Sequence, residues 1–129
     1  MSEDSSKKIY DLEERCFQFA KGIAFFCKKL PMDIVNREYI KQLVRSSSSI
    51  GANYIEANEC LGEKDFLMRL RISRKEAKET SFWLRLITET NNETFKEEGT
   101  RFNNESNELK KIFSSIIYKR TKSDTAKEL

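Results

Sequence analysis

Residues 45–59 read RSSSSIGANYIEANE. Four consecutive serines beside a glycine have the composition of a linker, and a linker here would divide the chain. The spacing of the neighbouring residues argues for a helix instead. Tyr39, Ile40, Leu43, Val44, Ser47, Ile50, Tyr54, Ala57 and Leu61 place an apolar or small side chain every three or four residues straight through the serine run. The run therefore lies inside a helix over about residues 36–61. Serine is a middling helix former and glycine a poor one, so the tract costs on the order of 2–3 kcal/mol relative to alanines. Packing has to offset that cost: small side chains let a second helix approach closely, and serine hydroxyls bond back to carbonyls one turn earlier.

Three further segments share the period. Ile9, Leu12, Cys16, Phe19, Ile23, Phe26 and Leu30 form one seam, predicting a helix over about 6–30 that Ser5 or Ser6 caps and Pro31 stops. Gly22, in its interior, suits a close neighbour. Phe66, Leu70, Ser73, Ala77, Thr80, Leu84 and Ile87 form another over 63–91, widened by Trp83. Phe102, Leu109, Ile112, Phe113, Ile116 and Ile117 predict a helix over 100–120, followed by a polar tail, 121–129, that is expected to fray. Between the second and third helices, Gly62 suits a C-terminal cap, and Glu63 or Asp65 suits the next N-terminus. One proline and four glycines in 129 residues leave few turns for a sandwich or barrel. The expected fold is all-α, a single domain over residues 1–129 built as an antiparallel up-down-up-down four-helix bundle.

A polar stripe runs beside the apolar seams. Ser46, Ser49, Asn53 and Glu56 share one face of the second helix, and Ser73, Glu76 and Thr80 follow a similar line on the third, with Arg45 and Glu79 close by. Such groups are expected to find hydrogen-bond partners between these two helices or across subunits, because buried polar groups are normally satisfied. The net charge is only +3, yet seven basic residues fall within 62–90 and six within 109–129. Arg69, Arg71, Arg74, Lys75, Lys78 and Arg85, with Lys119, Arg120 and Lys122, are the candidate contacts to a phosphate backbone. A solvated helix face has the same composition, and Glu76 and Glu79 are spaced to neutralise these bases within the third helix.

The sequence contains no histidine, and therefore neither a Ser-His or Cys-His nucleophile pair nor the Glu-x-x-His motif of di-iron bundles. It also has no phosphate-binding glycine loop. Glu56, Glu59, Glu76 and Glu79 make an all-carboxylate metal site conceivable, but salt bridges to Arg45, Arg74 and Lys75 suit them better. The expectation is a non-enzyme with no cofactor and no metal. Cys16, Cys27 and Cys60 form no CxxC pair and suit a reducing compartment. MSEDSSKK leads directly into an amphipathic segment, and no apolar run approaches 18 residues, so the chain is expected to be cytoplasmic with no membrane partner.

Gln42, Arg45, Ser46, Ser49, Ile50, Ala52, Asn53, Glu56 and Ala57, then Phe66 and the run ISRKEAKETSFWLRLI from Ile72 to Ile87, resemble the four-helix-bundle family of bacterial 23S rRNA intervening-sequence proteins. The resemblance covers roughly residues 9–118. Ala57 and Asn58 stand where that family more often has a glycine-containing turn. The resemblance implies a small cytosolic bundle that assembles into a ring-shaped homopentamer. Through a related branch, the accessory proteins of diversity-generating retroelements, it implies contact with RNA or DNA and with a second protein. Tyr39, Tyr54, Phe82 and Trp83 are the aromatics available either for subunit contacts or for completing the core.

Overall fold

The structure, a computed structural model, describes residues 2–128 and the side chains of residue 8 and residues 11–122. The side chains of Ser5, Ser6 and Ile9, the expected cap and first seam position, lie outside these. Four helices follow one another: α1 (Ser2–Lys29), α2 (Ile34–Asn58), α3 (Glu63–Thr90) and α4 (Lys96–Glu128), with a 3-10 turn at Glu93–Phe95 before α4. No strand occurs among the described residues.

Several ends differ from the sequence expectation, each for a local reason. Asp33 starts α2, its Oδ1 accepting the Asn36 amide at 2.7 Å. At its other end α2 stops at Asn58, and Glu59 is its C-cap. Leu61, expected on the seam, is fully exposed. Gly62 does not cap α2; its extended backbone (φ −115°, ψ 153°) forms the N-cap of α3, with Glu63 and Asp65 in the first turn. Asn92 accepts the Thr94 amide at 2.9 Å and winds the 3-10 turn, which carries the chain into α4 four residues early. Beyond residue 120 the expected fraying gives way to helix as far as Glu128. That stretch contains neither proline nor glycine, the residues that stop helices most strongly.

Cross-helix contacts fix the topology. On α2 and α3, Asn53 meets Arg69, Ile50 meets Ser73 and Ser46 meets Thr80, so the numbers fall on one helix as they rise on the other. Contacts of Ala77 with Ser106 and Glu63 with Arg120 make α3 and α4 antiparallel. Arg15–Glu105 and Lys29–Glu98 do the same for α1 and α4. Glu13–Asn58 and the close approach of Cys16 to Gly51 complete the up-down-up-down arrangement.

The core is continuous, from Leu12, Phe19, Ile23 and Phe26 of α1 through Leu43, Ile50 and Tyr54 of α2 and Leu70, Leu84 and Ile87 of α3 to Leu109 and Phe113 of α4. The serine tract lies inside α2, and each of its four hydroxyls donates to a carbonyl three or four residues earlier. A Cβ at Gly51 would lie 2.9 Å from Cys16 Cβ, so the small residue there is what lets α1 come close. Gly22 serves Phe102 of α4 in the same way.

Cys16 and Cys27 are buried free thiols. Burial pushes Cys16 up to about 12 and Cys27 up to about 11, since the thiolate has no solvent around it. No helix among the described residues is long and apolar enough to cross a membrane.

The polar seam and candidate nucleic-acid interface

Ser46, Ser73, Thr80 and Glu76 lie between α2 and α3 and are buried. The hydroxyl oxygens of Ser46 and Thr80 are 2.9 Å apart, and Thr80 also donates to the Glu76 carbonyl at 2.8 Å. Ser73 donates to the Ile50 carbonyl at 2.9 Å, an oxygen already within the α2 ladder. These short polar side chains take the place of a bulky apolar layer, so the two backbones sit close together.

The seam ends towards solvent in two charged clamps. Arg45 Nη1 lies 3.2 Å from Glu76 Oε2, and its Nη2 pairs with Glu79. Two turns further along, Arg69 donates to Asn53 Oδ1 at 3.0 Å while Asn53 donates to the Ser49 carbonyl at 2.9 Å. Ser49 donates to the Arg45 carbonyl at 2.7 Å. Arg45, Ser46, Ser49, Asn53, Ser73, Glu76 and Glu79 therefore form one intramolecular layer. Glu56, expected in the same stripe, is exposed, and among the described residues its side chain joins no hydrogen bond or ion pair.

The candidate phosphate contacts divide into three groups. Arg69 is drawn into the seam by Asn53. Arg120 makes both oxygens of Glu63 its partners and lies 4.6 Å from the Phe66 ring centroid. With Lys119 and Arg15 it borders a cavity of about 570 Å³ between α1 and α4, floored by Leu12, Tyr54 and Ile116. Lys122 is exposed over the Tyr118 ring. These C-terminal cations are not brought together with the middle of α3.

Arg71, Lys75, Lys78 and Arg85 are exposed and spaced four, three and seven apart, so they form one row along the solvent side of α3. Lys64, Met68 and Phe82 occupy the remaining turns of the same row and are exposed as well. Arg74 is half-buried beside it. Arg85 pairs with Glu89 at 2.7 Å, an exposed i,i+4 contact of little strength. Among the described residues, Arg71, Arg74, Lys75 and Lys78 make no ion pair. The expected neutralisation by Glu76 and Glu79 within α3, and the expected pairing of carboxylates with Arg74 and Lys75, do not occur: Arg45 of α2 takes both carboxylates, and no base stands three or four positions from Glu76.

Two interactions escaped sequence reasoning. Buried Asn36 and half-buried Asn91 exchange reciprocal amide hydrogen bonds at 2.8 and 2.9 Å, tying the start of α2 to the end of α3. Buried Ser106 donates to the Ala77 carbonyl at 2.7 Å. Asn36 follows three residues after Asp33 in a helix start, and nothing in that local pattern points to a partner 55 positions away. The row through Lys64 and Met68 is legible in the regular spacing of its residues along the sequence.

Among the described residues no three histidine, cysteine, aspartate or glutamate side chains gather closely enough to hold a metal ion. The aromatics divide as well. Tyr54 is core, Tyr39 and Trp83 pack against the core, and Phe82 stays in solvent.

Comparison with known proteins agrees with this architecture. Residues 8–115 match the family described as 23S rRNA-intervening sequence protein. A crystal structure from Bacteroides thetaiotaomicron VPI-5482, described as a protein with unknown function from the S23 ribosomal protein family, is 35% identical, with a TM-score of 0.70 over 82% of this chain and 97% of that one. No curated protein matches. With the family match spanning most of the four helices and a solved bundle of the same shape beside it, this chain belongs to the 23S rRNA-intervening sequence protein family.

Proposed function

We propose that this protein is a non-catalytic RNA-binding bundle that holds a phosphate backbone along the outer row of α3. The observation that carries the reading is that Arg71, Lys75 and Lys78 share one exposed row and, among the described residues, make no ion pair, Glu79, the carboxylate one turn from Lys75, being held by Arg45 of α2 instead. The row from Lys64 to Arg85 extends about 32 Å at 1.5 Å per residue, long enough to follow several phosphates. The family description and the ribosomal label of its solved neighbour favour RNA as the polyanion.

A mobility-shift titration with a structured rRNA fragment at two salt concentrations tests this. Binding should weaken as salt rises, and Lys75→Ala with Lys78→Ala should lower the salt slope by about one for each lysine removed. Salt-insensitive binding, or none at micromolar protein, would contradict it.

Self-association accompanies this reading, as the homopentamer that the family resemblance implies. Phe17, Phe25, Val44 and Ile55 are supporting features, large apolar side chains that are 41–59% exposed on α1 and α2. Copies joined there would multiply a weak positive row. A competing reading uses the same apolar face to hold a different protein and binds no nucleic acid. Light scattering separates these: a lone 15.2 kDa species would remove the assembly.

A further inference from the structure

We infer that the α3 row takes single-stranded rather than duplex RNA, with one unpaired base stacked on Phe82. The inference rests on the proposed phosphate-binding function of that row and adds the form of nucleic acid it selects.

Phe82 is 56% exposed although it sits between cations, with Lys78 four residues before it and Arg85 three after. A bare aromatic ring there gains nothing from a duplex, which presents phosphates and groove edges to a helix and keeps its base faces stacked inside. A single strand offers the face of every base, and a ring flanked by cations one turn away on each side holds a base while the adjoining phosphates meet Lys78 and Arg85. The ring is also supported from below. Trp83 meets it edge-on at 5.0 Å with an interplanar angle of 79°, and Trp83 leans on Tyr39 at 5.9 Å. Phe82 is therefore propped in place with its outer side open, as a stacking platform requires. Met68 is exposed earlier in the same row, so the apolar contribution is not confined to one position.

The chain has a single tryptophan, and it touches the proposed platform, so Trp83 fluorescence reports on a base arriving at Phe82. The experiment titrates the full chain with a short single-stranded RNA and with the same sequence as a duplex, following Trp83 emission and fluorescence anisotropy of labelled RNA. The variants are Phe82→Leu, which keeps apolar bulk without a π face, Phe82→Tyr, which restores the face, and Lys75→Ala/Lys78→Ala. We expect single strands to change Trp83 emission, Phe82→Leu to weaken their binding about ten-fold while leaving the duplex unchanged, and Phe82→Tyr to recover it. If Phe82→Leu binds single strands like the parent while the lysine variant loses binding, stacking is overturned and the phosphate-binding function stands. If Phe82→Leu alters the oligomeric mass and leaves RNA affinity unchanged, Phe82 is a subunit contact and the inference also falls. If neither form of RNA binds the parent protein, both the inference and the function beneath it are lost.

Discussion

Arg45 on α2 holds Glu76 on α3 at 3.2 Å, and the Glu76 side chain is only 9% exposed while that of Arg45 is 50% exposed. The pair is half-solvated. Its significance lies in Glu76 being unable to reach water by itself, so removing the arginine strands a carboxylate. Arg45→Gln should therefore lower stability by about 1–2 kcal/mol in denaturant unfolding, and adding Glu76→Gln should recover part of the loss. The same substitution releases two negative charges beside Lys75 and Lys78. RNA affinity should fall in Arg45→Gln even though Arg45 belongs to the seam and not to the row.

Ser46 has no exposed surface and faces Thr80 between α2 and α3. Ser46→Leu should destabilise by about 1–3 kcal/mol because the added carbons have no space between α2 and α3. Ser46→Ala, which removes only the hydroxyl, should cost about 1 kcal/mol. A melting series comparing the two checks the sizes; equal effects would mean that hydrogen bonding, and not close approach, sets the requirement for a small residue.

Gly99 is buried early in α4, and a Cβ there would fall on Thr88 Cγ2 of α3, with Phe26 Cζ 3.6 Å away. Alanine is the better helix former by about 1 kcal/mol, yet the clash should prevail and leave Gly99→Ala less stable by about 1–3 kcal/mol. Thr88→Ala in the Gly99→Ala background should restore much of the loss. A thermal melt of the single and double variants tests the pairing.

Cys16 and Cys27 remain neutral in the folded chain well past the ordinary thiol value of 9.0, up to about 12 and about 11 respectively. Their folded values are raised, so the stability tied to the neutral thiols is complete below pH 9 and is lost as pH rises through the folded values. Unfolding free energy should decline from about pH 9 upward, with a shallower decline in Cys16→Ala/Cys27→Ala. At pH 8 a thiol reagent should modify half-buried Cys60 quickly, and all three cysteines only after denaturation. Rapid labelling of Cys16 in the native protein would contradict this burial.

The helices were legible because their signal is local. A residue every three or four positions marks a buried stripe wherever it packs, and that period continued through the serines from Leu43 to Ala57. Ends were less legible. Gly62 looks like a cap for the helix before it and serves the helix after it, a difference decided by where the chain reverses. Asn92 and its 3-10 turn shifted the start of α4 in the same way.

The sequence by itself determined that this chain forms four amphipathic helices, that the serine tract is helical, and which residues are polar beside the seams. Only the tertiary structure decided what those polar residues face. Arg45 has no carboxylate one turn away on its own helix, and its reach across the gap to Glu76 and Glu79 appeared only when α2 and α3 were set side by side. That reach also takes Glu79 away from Lys75, one turn before it on α3. Periodicity fixes which side of a helix a residue occupies, whereas charge pairing depends on distances between helices, which no local pattern contains.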